Sequence, residues 1–202
     1  MKIDSLSWYV ARSSGLIGWA LLSASVIWGL LLSTRASAAG RRPRPAWTLD
    51  LHRYLGGLAT VFTAVHVAGI VADSYVHFTL WSVLVPFASQ WRRGAVAWGV
   101  VALYLLVAVE LTSLFRSRLP RKAWRAVHAA AFPLFVFATV HGYSAGTDTH
   151  SRLVVLVATA TTLAIAGLTG LRIRQASGQS EPPGLTPPAG GAASTRPLAR
   201  CG

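Results

Sequence analysis

Long runs of apolar residues, separated by short basic stretches, occupy most of the first 174 positions of the chain. A helix needs about 20 predominantly apolar residues to cross the hydrocarbon core of a bilayer. Five runs meet this length, so the pattern predicts an all-α fold, a polytopic bundle of about five transmembrane helices. The predicted spans are residues 8–33, 51–72, 95–115, 124–143 and 153–171.

The segment between the second and third spans is different. Residues 76–89 (VHFTLWSVLVPFAS) are apolar and aromatic, but the run is short and Pro86 interrupts it. We therefore expect a short re-entrant or interfacial segment here and not a sixth span.

The first span has a second interpretation, because the Ala-Ser-Ala at 36–38 resembles a signal-peptidase site after an apolar run. The run is longer than the core of a typical signal peptide, and arginines follow at 41, 42 and 44, where positive charge resists export. We expect this segment to stay as a membrane helix.

The end of the chain changes composition. Residues 175–202 are rich in Pro, Gly, Ala and Ser and have no apolar period, which predicts a disordered cytoplasmic tail after a membrane domain at 1–174. Cys201, the single cysteine, lies in this tail, so the sequence predicts neither an intrachain disulfide nor a cysteine-based metal site.

Composition agrees with a membrane protein. Hydrophobic residues make up 53% of the chain and charged residues only 12%, about half of what a soluble globular chain carries. The formal charge of +13 would suggest a nucleic-acid partner in a soluble protein, but here the basic residues cluster between apolar runs. That placement is typical of the charges that orient membrane helices, so we expect a lipid bilayer and no nucleic acid as partner.

Orientation follows from the distribution of Lys and Arg on alternate sides of the spans. One side has 13 of the 19 basic residues, the other has five, and Arg53 lies within the second span. The 13 are Arg35, Arg41, Arg42, Arg44, Arg116, Arg118, Arg121, Lys122, Arg125, Arg172, Arg174, Arg196 and Arg200. The positive-inside rule predicts that this side is cytoplasmic. The chain is then expected to cross the plasma membrane with its N-terminus outside the cell and its C-terminus in the cytoplasm.

Four histidines lie within predicted spans, where a polar ring is rare and indicates function. His52 and His66 lie fourteen residues apart on the second span, and His128 and His141 lie thirteen apart on the fourth. Each spacing is about 20 Å along a helix. The two spans run in the same direction, so we expect an inner pair (His52 and His128) near the basic side and an outer pair (His66 and His141) near the opposite side.

Two imidazoles at one depth favour one kind of metal site. Zinc or copper needs three or four protein ligands, and neither level offers a nearby Cys or enough carboxylates. Haem supplies four equatorial nitrogens and takes only axial ligands from the protein. Two b-type haems with bis-His ligation, one at each level, are the simplest interpretation.

Helix geometry places one demand on this interpretation. Fourteen residues return within about 40° of the starting face, so His52 and His66 can face the same neighbour. Thirteen residues leave His141 about 140° from the direction of His128 on an ideal helix. Because Pro133 lies between them, we expect a kink or local rewinding that brings both to one face.

A different class of function is a haem-free bundle, a transporter or assembly subunit whose histidines relay protons or join helices by hydrogen bonds. An absorption spectrum distinguishes the two classes.

Three other polar residues have ordinary explanations. His77 and His150 fall in predicted external loops, where a solvated or acceptor-side role is the usual expectation. Glu110, the acidic residue deep in the third span, is expected to pair with Arg116 or Arg118 near the cytoplasmic face.

The paired histidines and three further segments (WYVARSSGLIGWALL, VPFASQWRRGAVAWGVVALYLLVAVELTS and VHGYSAGTDT) resemble the ferric reductase-like transmembrane superfamily, in particular small actinobacterial members. The superfamily includes ferric reductases, the membrane domains of NADPH oxidases and the haem-binding subunit of bacterial methionine sulfoxide reductase systems. The resemblance covers about residues 7–174. It implies that His52, His66, His128 and His141 are axial ligands of two haems that pass electrons across the membrane.

The resemblance has further implications for this chain. Arg12, near the outer end of the first span, is expected to contact the propionates of the outer haem, with a snorkelling interfacial arginine as the alternative. Independently of the resemblance, the position of Arg53 next to His52 suggests the same role at the inner haem, although its direction on the helix differs from that of His52 by about 100°. The oxidases have an extra N-terminal helix and a flavin and nicotinamide domain, and no strand–GxGxxG–helix unit follows the spans here. The chain is thus expected to be the membrane electron-transfer subunit of an oxidoreductase, with a separate flavin/NAD(P)H reductase or quinol as donor.

Overall fold

In the computed structural model the described residues are 3–38, 46–73, 78–147 and 151–178. These residues form seven α-helices and one short 3₁₀ helix, and none of them lies in a β-strand. The helices are α1 (Ile3–Ala38), α2 (Ala46–Val71), α3 (Leu80–Leu84), α4 (Arg93–Leu114), α5 (Arg121–Ala129), α6 (Ala131–Ala145) and α7 (Arg152–Gly178). The 3₁₀ helix, Arg116–Arg118, connects α4 to α5.

Five segments of the described chain are long and apolar enough to cross a membrane, which confirms the predicted number of spans. They are Leu6–Thr34, Ala46–Val71, Arg93–Leu114, Arg121–Ala145 and Arg152–Gln175. Large apolar side chains on these helices face outward; Val61 is 57% exposed and Leu163 67%. Such a surface is stable in lipid and not in water, so the protein is a multi-pass membrane protein.

The short segment between the second and third spans contains α3, only five residues long. Thr79 caps its start by accepting a hydrogen bond from the backbone N–H of Ser82 at 3.2 Å. The Trp81 and Phe87 side chains are 69% and 64% exposed. A helix of this length cannot span a bilayer, and exposed aromatic residues are typical of the headgroup region, as expected for the described residues of 76–89.

The fourth span is broken, as Pro133 predicts. Proline lacks an N–H and its ring clashes with the carbonyl four residues earlier, which here belongs to Ala129, the last residue of α5. The N–H of Ala130 turns back to Val127 at 2.9 Å, three residues away, and regular bonding resumes with Leu134 and the Ala130 carbonyl at 2.9 Å. This tightened turn rotates α6 relative to α5.

The helices pack as two groups. In one, α1 lies along α2; in the other, α4 lies along α6, with Trp98 stacked on Phe137 at 5.2 Å. Contacts of α1 with α6 and α7 join the groups, and the Trp19 indole donates to the Thr139 hydroxyl at 3.0 Å. Within the described chain, α2 and α6 make no extensive packing with each other. The space between them contains the histidines.

Several predictions from the sequence fall outside the described residues. These are His77, His150, Cys201, the arginines at 41, 42, 44, 196 and 200, and the tail from 179 onward. The last helix continues to Gly178, four residues past the predicted end of the membrane domain.

Candidate functional site

The structure brings the four span histidines together as two pairs. The rings of His52 on α2 and His128 on α5 have centroids 5.9 Å apart, with their planes at 78°. The rings of His66 on α2 and His141 on α6 have centroids 6.2 Å apart, with their planes at 79°. The inner and outer pairs therefore have nearly the same geometry, and the break at Ala130 is what turns both α5 and α6 histidines toward α2.

Backbone carbonyls fix the orientation of three of these rings. Nδ1 of His66 donates to the carbonyl of Ala11 at 2.6 Å, and Nδ1 of His52 donates to that of Ser25 at 3.1 Å. On the other side, Nδ1 of His141 donates to the carbonyl of Ala95 at 2.8 Å. A carbonyl only accepts, so each of these rings has its proton on Nδ1. The lone pair of Nε2 is then available to a metal ion, as in metal-ligating histidines generally.

Glycines give these rings room to reach the helix backbone. A Cβ atom on Gly15 would lie 2.7 Å from Nδ1 of His66, and one on Gly99 would lie 2.7 Å from Nδ1 of His141. A Cβ on Gly29 would lie 3.1 Å from Cε1 of His52. Each ring thus occupies the space that a side chain at the glycine position would fill. The sequence pattern by itself did not assign this role to the glycines.

His128 has a different environment. Its Nδ1 lies 3.4 Å from the hydroxyl of Ser113 on α4. Its ring stacks on Trp124, one turn earlier on α5, with centroids 5.0 Å apart and planes at 21°. The guanidinium of Arg116 lies over the other ring in this stack, 5.1 Å from the Trp124 centroid. Aromatic stacking and a cation–π contact therefore position this ring together with a hydroxyl.

The two arginines predicted as cofactor-binding residues lie beside the pairs. Arg12 follows Ala11, the hydrogen-bond acceptor of the outer pair, and its guanidinium lies 5.0 Å from the Trp8 ring centroid. Arg53 follows His52 and forms an ion pair with Asp50 at 3.6 Å, with both side chains more than 60% exposed. Each arginine is thus at the level of the expected histidine pair, with its side chain on a neighbouring face of the helix.

A family comparison covers most of this arrangement. The model of the ferric reductase-like transmembrane component matches residues 14–139, a region that contains three of the four paired histidines and ends two residues before His141. The chain belongs to this family. Comparisons with curated proteins and with solved structures gave no significant match. Membership makes the chain a membrane component of the oxidoreductase type, and ferric reductase-like domains typically bind haem.

The residues of this family member fit such a group. Two imidazoles on opposite sides of one metal ion have centroids about 6 Å apart, since each metal–nitrogen bond is about 2 Å and each nitrogen lies about 1 Å from its ring centroid. Both observed separations agree with this value. Among the described residues, no cluster of three or more His, Cys, Asp or Glu could hold a bare metal ion. The donor set of each pair suits a metal that brings its own equatorial ligands.

Glu110 is the acidic side chain deepest in α4 of this ferric reductase-like component. A Cβ atom on Gly56 would lie 2.9 Å from its Oε1 atom, so the carboxylate packs against α2 one turn after His52. Arg116 and Arg118, the two basic residues expected to pair with it, instead lie over the rings of Trp124 and Phe115, and the ion pair found among the described residues joins Arg53 to Asp50. In the part of the chain that the structure describes, Glu110 is therefore a neighbour of the inner pair and not a partner of the basic loop.

Proposed function

We propose that this protein transfers electrons across the membrane through two b-type haems, one ligated by the inner pair and one by the outer pair. The observation that supports this most directly is the repeated geometry, two imidazole pairs at the separation of trans ligands. Bound haem supplies a one-electron couple that the side chains of this chain lack.

The residues of the chain contribute position and environment. The spacing of His52 and His66 sets the two levels about 20 Å apart along the bundle axis. Backbone carbonyls hold three imidazoles with Nε2 free. Arg12 and Arg53 would hold the propionates of the outer and inner groups, because a guanidinium binds a carboxylate bidentately.

The geometry gives less support to the haem-free alternative. A proton relay needs hydrogen bonds from one carrier to the next. Three of the imidazoles instead direct Nδ1 to backbone carbonyls, which do not release a proton. The two levels are also about 20 Å apart, too far for direct transfer between the pairs.

Haem content and spectroscopy of the purified protein test the proposal. We expect two haems per chain after haem-replete expression, with a low-spin reduced-minus-oxidised spectrum typical of bis-His ligation. Replacing His52 or His128 should remove one haem and replacing His66 or His141 the other. Absence of a haem spectrum from folded wild-type protein would reject this function.

We also propose a source for the electrons, a separate flavin/NAD(P)H reductase or membrane quinol that acts at the basic end. Arg116, Arg118, Arg121 and Lys122 are exposed there, in the 3₁₀ helix and at the start of α5, and would attract an acidic reductase. Charge reversal of Arg118 and Arg121 should slow reduction by such a partner more at low salt than at high salt. Equal rates at both salt concentrations would favour quinol.

The orientation proposed for this path has the N-terminus outside the plasma membrane and the C-terminus in the cytoplasm. A reporter fused after Arg200 should be active only if it is a cytoplasmic reporter. Activity of a periplasmic reporter at that position would reverse the direction of electron transfer.

A further inference from the structure

At three of the four histidines, the carbonyl acceptor and the glycine beside the ring are separated by the same number of residues. Ala11 and Gly15 serve His66, Ser25 and Gly29 serve His52, and Ala95 and Gly99 serve His141. In each case the glycine lies four residues after the acceptor. The two acceptor–glycine sets on α1 are fourteen residues apart, the same interval that separates the two histidines on α2.

Helix geometry explains the interval of four. The carbonyl of residue i points toward residue i+4, whose N–H it accepts, and has a second lone pair left. A side chain at i+4 would stand beside that lone pair, whereas glycine leaves it open to an approaching ring. A Cβ atom added to Gly15 or Gly99 would lie 2.7 Å from the imidazole, so the rings of His66 and His141 occupy this open space.

Applying the interval of fourteen to α4 defines the fourth position. Fourteen residues after the acceptor Ala95 is Val109, and fourteen residues after Gly99 is Ser113. His128 is the ring at this level, and the atom beside its Nδ1 is the Ser113 hydroxyl oxygen, 3.4 Å away. The Ser113 side chain therefore lies where the other three histidines have a glycine beside the ring. Its hydroxyl, and not a backbone carbonyl, is the group next to Nδ1 of His128.

We propose that Ser113 is the positioning residue for His128, and that its hydroxyl accepts the Nδ1 proton in place of a backbone carbonyl. This inference rests on the proposed function, because it concerns the ligand strength of an axial histidine. A hydroxyl is a weaker acceptor than a helix carbonyl, so His128 donates less electron density through Nε2 than the other three histidines. Ser113 thereby makes the inner haem easier to reduce than it would be with a backbone carbonyl as the acceptor of His128.

Two substitutions at one position test this with opposite signs. Ser113→Ala removes the acceptor but keeps the Cβ atom, so the inner haem should become easier to reduce. Ser113→Gly opens the Val109 carbonyl to His128, so the inner haem should become harder to reduce. The matched control is Thr112→Val, which removes a hydroxyl that donates to the Ala108 carbonyl at 2.8 Å and lies 3.2 Å from the Val109 carbonyl, but leaves the Ser113 side chain in place over Val109.

The measurement is a potentiometric titration of the purified holoprotein, with the inner step identified as the one missing in His52→Ala. We expect each Ser113 variant to change the equilibrium constant of that step by about tenfold, a shift of about 59 mV for one electron. The outer step and the Thr112→Val titration should match the wild type. A purely structural role would instead lower haem content without opposite shifts.

The outcomes separate the two claims. Wild-type protein without haem would overturn the proposed function, and this inference with it, before any Ser113 variant is made. Wild-type protein with two haems, but with an inner step that stays constant or moves in the same direction in both variants, would overturn the role of Ser113 alone.

Discussion

The outer and inner histidine pairs share a centroid separation near 6 Å but differ in how their rings are held. Both outer rings donate to backbone carbonyls, at 2.6 and 2.8 Å, and both lie so close to a glycine that an added Cβ atom would be 2.7 Å from the ring. In the inner pair, His52 donates at 3.1 Å and would lie 3.1 Å from a Cβ atom added to Gly29, and Nδ1 of His128 lies 3.4 Å from a serine hydroxyl.

This difference shows that equal ligand spacing does not require equal rigidity. The outer rings are held by atoms of the helix backbone, which move only if a helix moves. The inner pair depends partly on side chains, the Ser113 hydroxyl and the Trp124 ring, which can change rotamer. The second sphere of a metal site orients its ligands and tunes the metal, so the two levels should respond differently to the same substitution.

The largest expected effect is the loss of a ligand. His66→Ala should reduce haem content from two to one per chain, and His52→Ala should do the same at the other level, because a bis-His site retains little affinity with one axial ligand. A pyridine haemochrome assay of the purified variants measures this. Thr63→Val, one turn before His66, is the control, since the Thr63 hydroxyl donates to the Ala59 carbonyl of its own helix at 2.8 Å. Equal haem content in all three variants would contradict the assignment.

Gly99→Ala should have the next largest effect. The added methyl group would lie 2.7 Å from two atoms of the His141 ring, and that ring cannot withdraw without losing its bond to Ala95. Overpacking of this kind costs about 1–3 kcal/mol, and misplaced second-sphere contacts lower metal affinity by about tenfold or more. Retention of the outer haem during dialysis against apomyoglobin measures the effect.

The control for Gly99→Ala is Gly142→Ala, the residue directly after His141, where an added Cβ meets nothing within 4 Å. It should retain both haems. If the two variants lose haem at the same rate, crowding of the outer ring by the methyl group is not the cause.

Much of this architecture could be predicted from the sequence, because the spans, the helix break and the histidine levels each depend on the residues of one segment. Apolar runs define the spans, and Pro133 predicts the break that the fourth span needs. The intervals of fourteen and thirteen by themselves place the histidines at two levels. These features depend on one helix at a time.

The acceptors and glycines could not be assigned in this way, because they depend on which helix packs beside α2 and α6. Gly15 and Gly29 repeat the fourteen-residue interval of the histidines, and this signal was available in the sequence. Only the packing of α1 along α2 identifies the interval as a contact with imidazoles and not as helix–helix packing. Glu110 was misplaced for the same reason, since its neighbour Gly56 is on another helix.

A comparison within α1 sharpens the difference between the levels. Gly15→Ala and Gly29→Ala add the same methyl group one turn after an acceptor, at 2.7 Å from His66 and at 3.1 Å from His52. The first requires the ring to move, whereas the second can be absorbed by a shift of a few tenths of an ångström. We expect Gly15→Ala to lose the outer haem about tenfold faster than wild type and Gly29→Ala to lose the inner haem more slowly than that. The reverse order would mean that the inner pair is the more rigid one.

The smallest expected effect is that of Gly56→Ala, near the inner pair. The added methyl group would lie 2.9 Å from Oε1 of Glu110, the free end of a flexible side chain that can rotate away. Replacing glycine by alanine within a helix gains up to about 1 kcal/mol, which offsets the cost of that movement. The free energy of unfolding and the haem content should therefore stay close to wild type.

Gly57→Ala provides the matched comparison, because its added methyl group meets nothing within 4 Å and should give the helix-propensity gain without a cost. Thermal unfolding in detergent micelles should rank Gly57→Ala above Gly56→Ala and wild type. Loss of the inner haem from Gly56→Ala would instead show that Glu110 is fixed in place and helps to hold the inner pair. In that case Glu110→Gln, which keeps the shape and removes the charge, should reproduce the loss, and the inner pair would be held by three side chains where the outer pair is held by backbone.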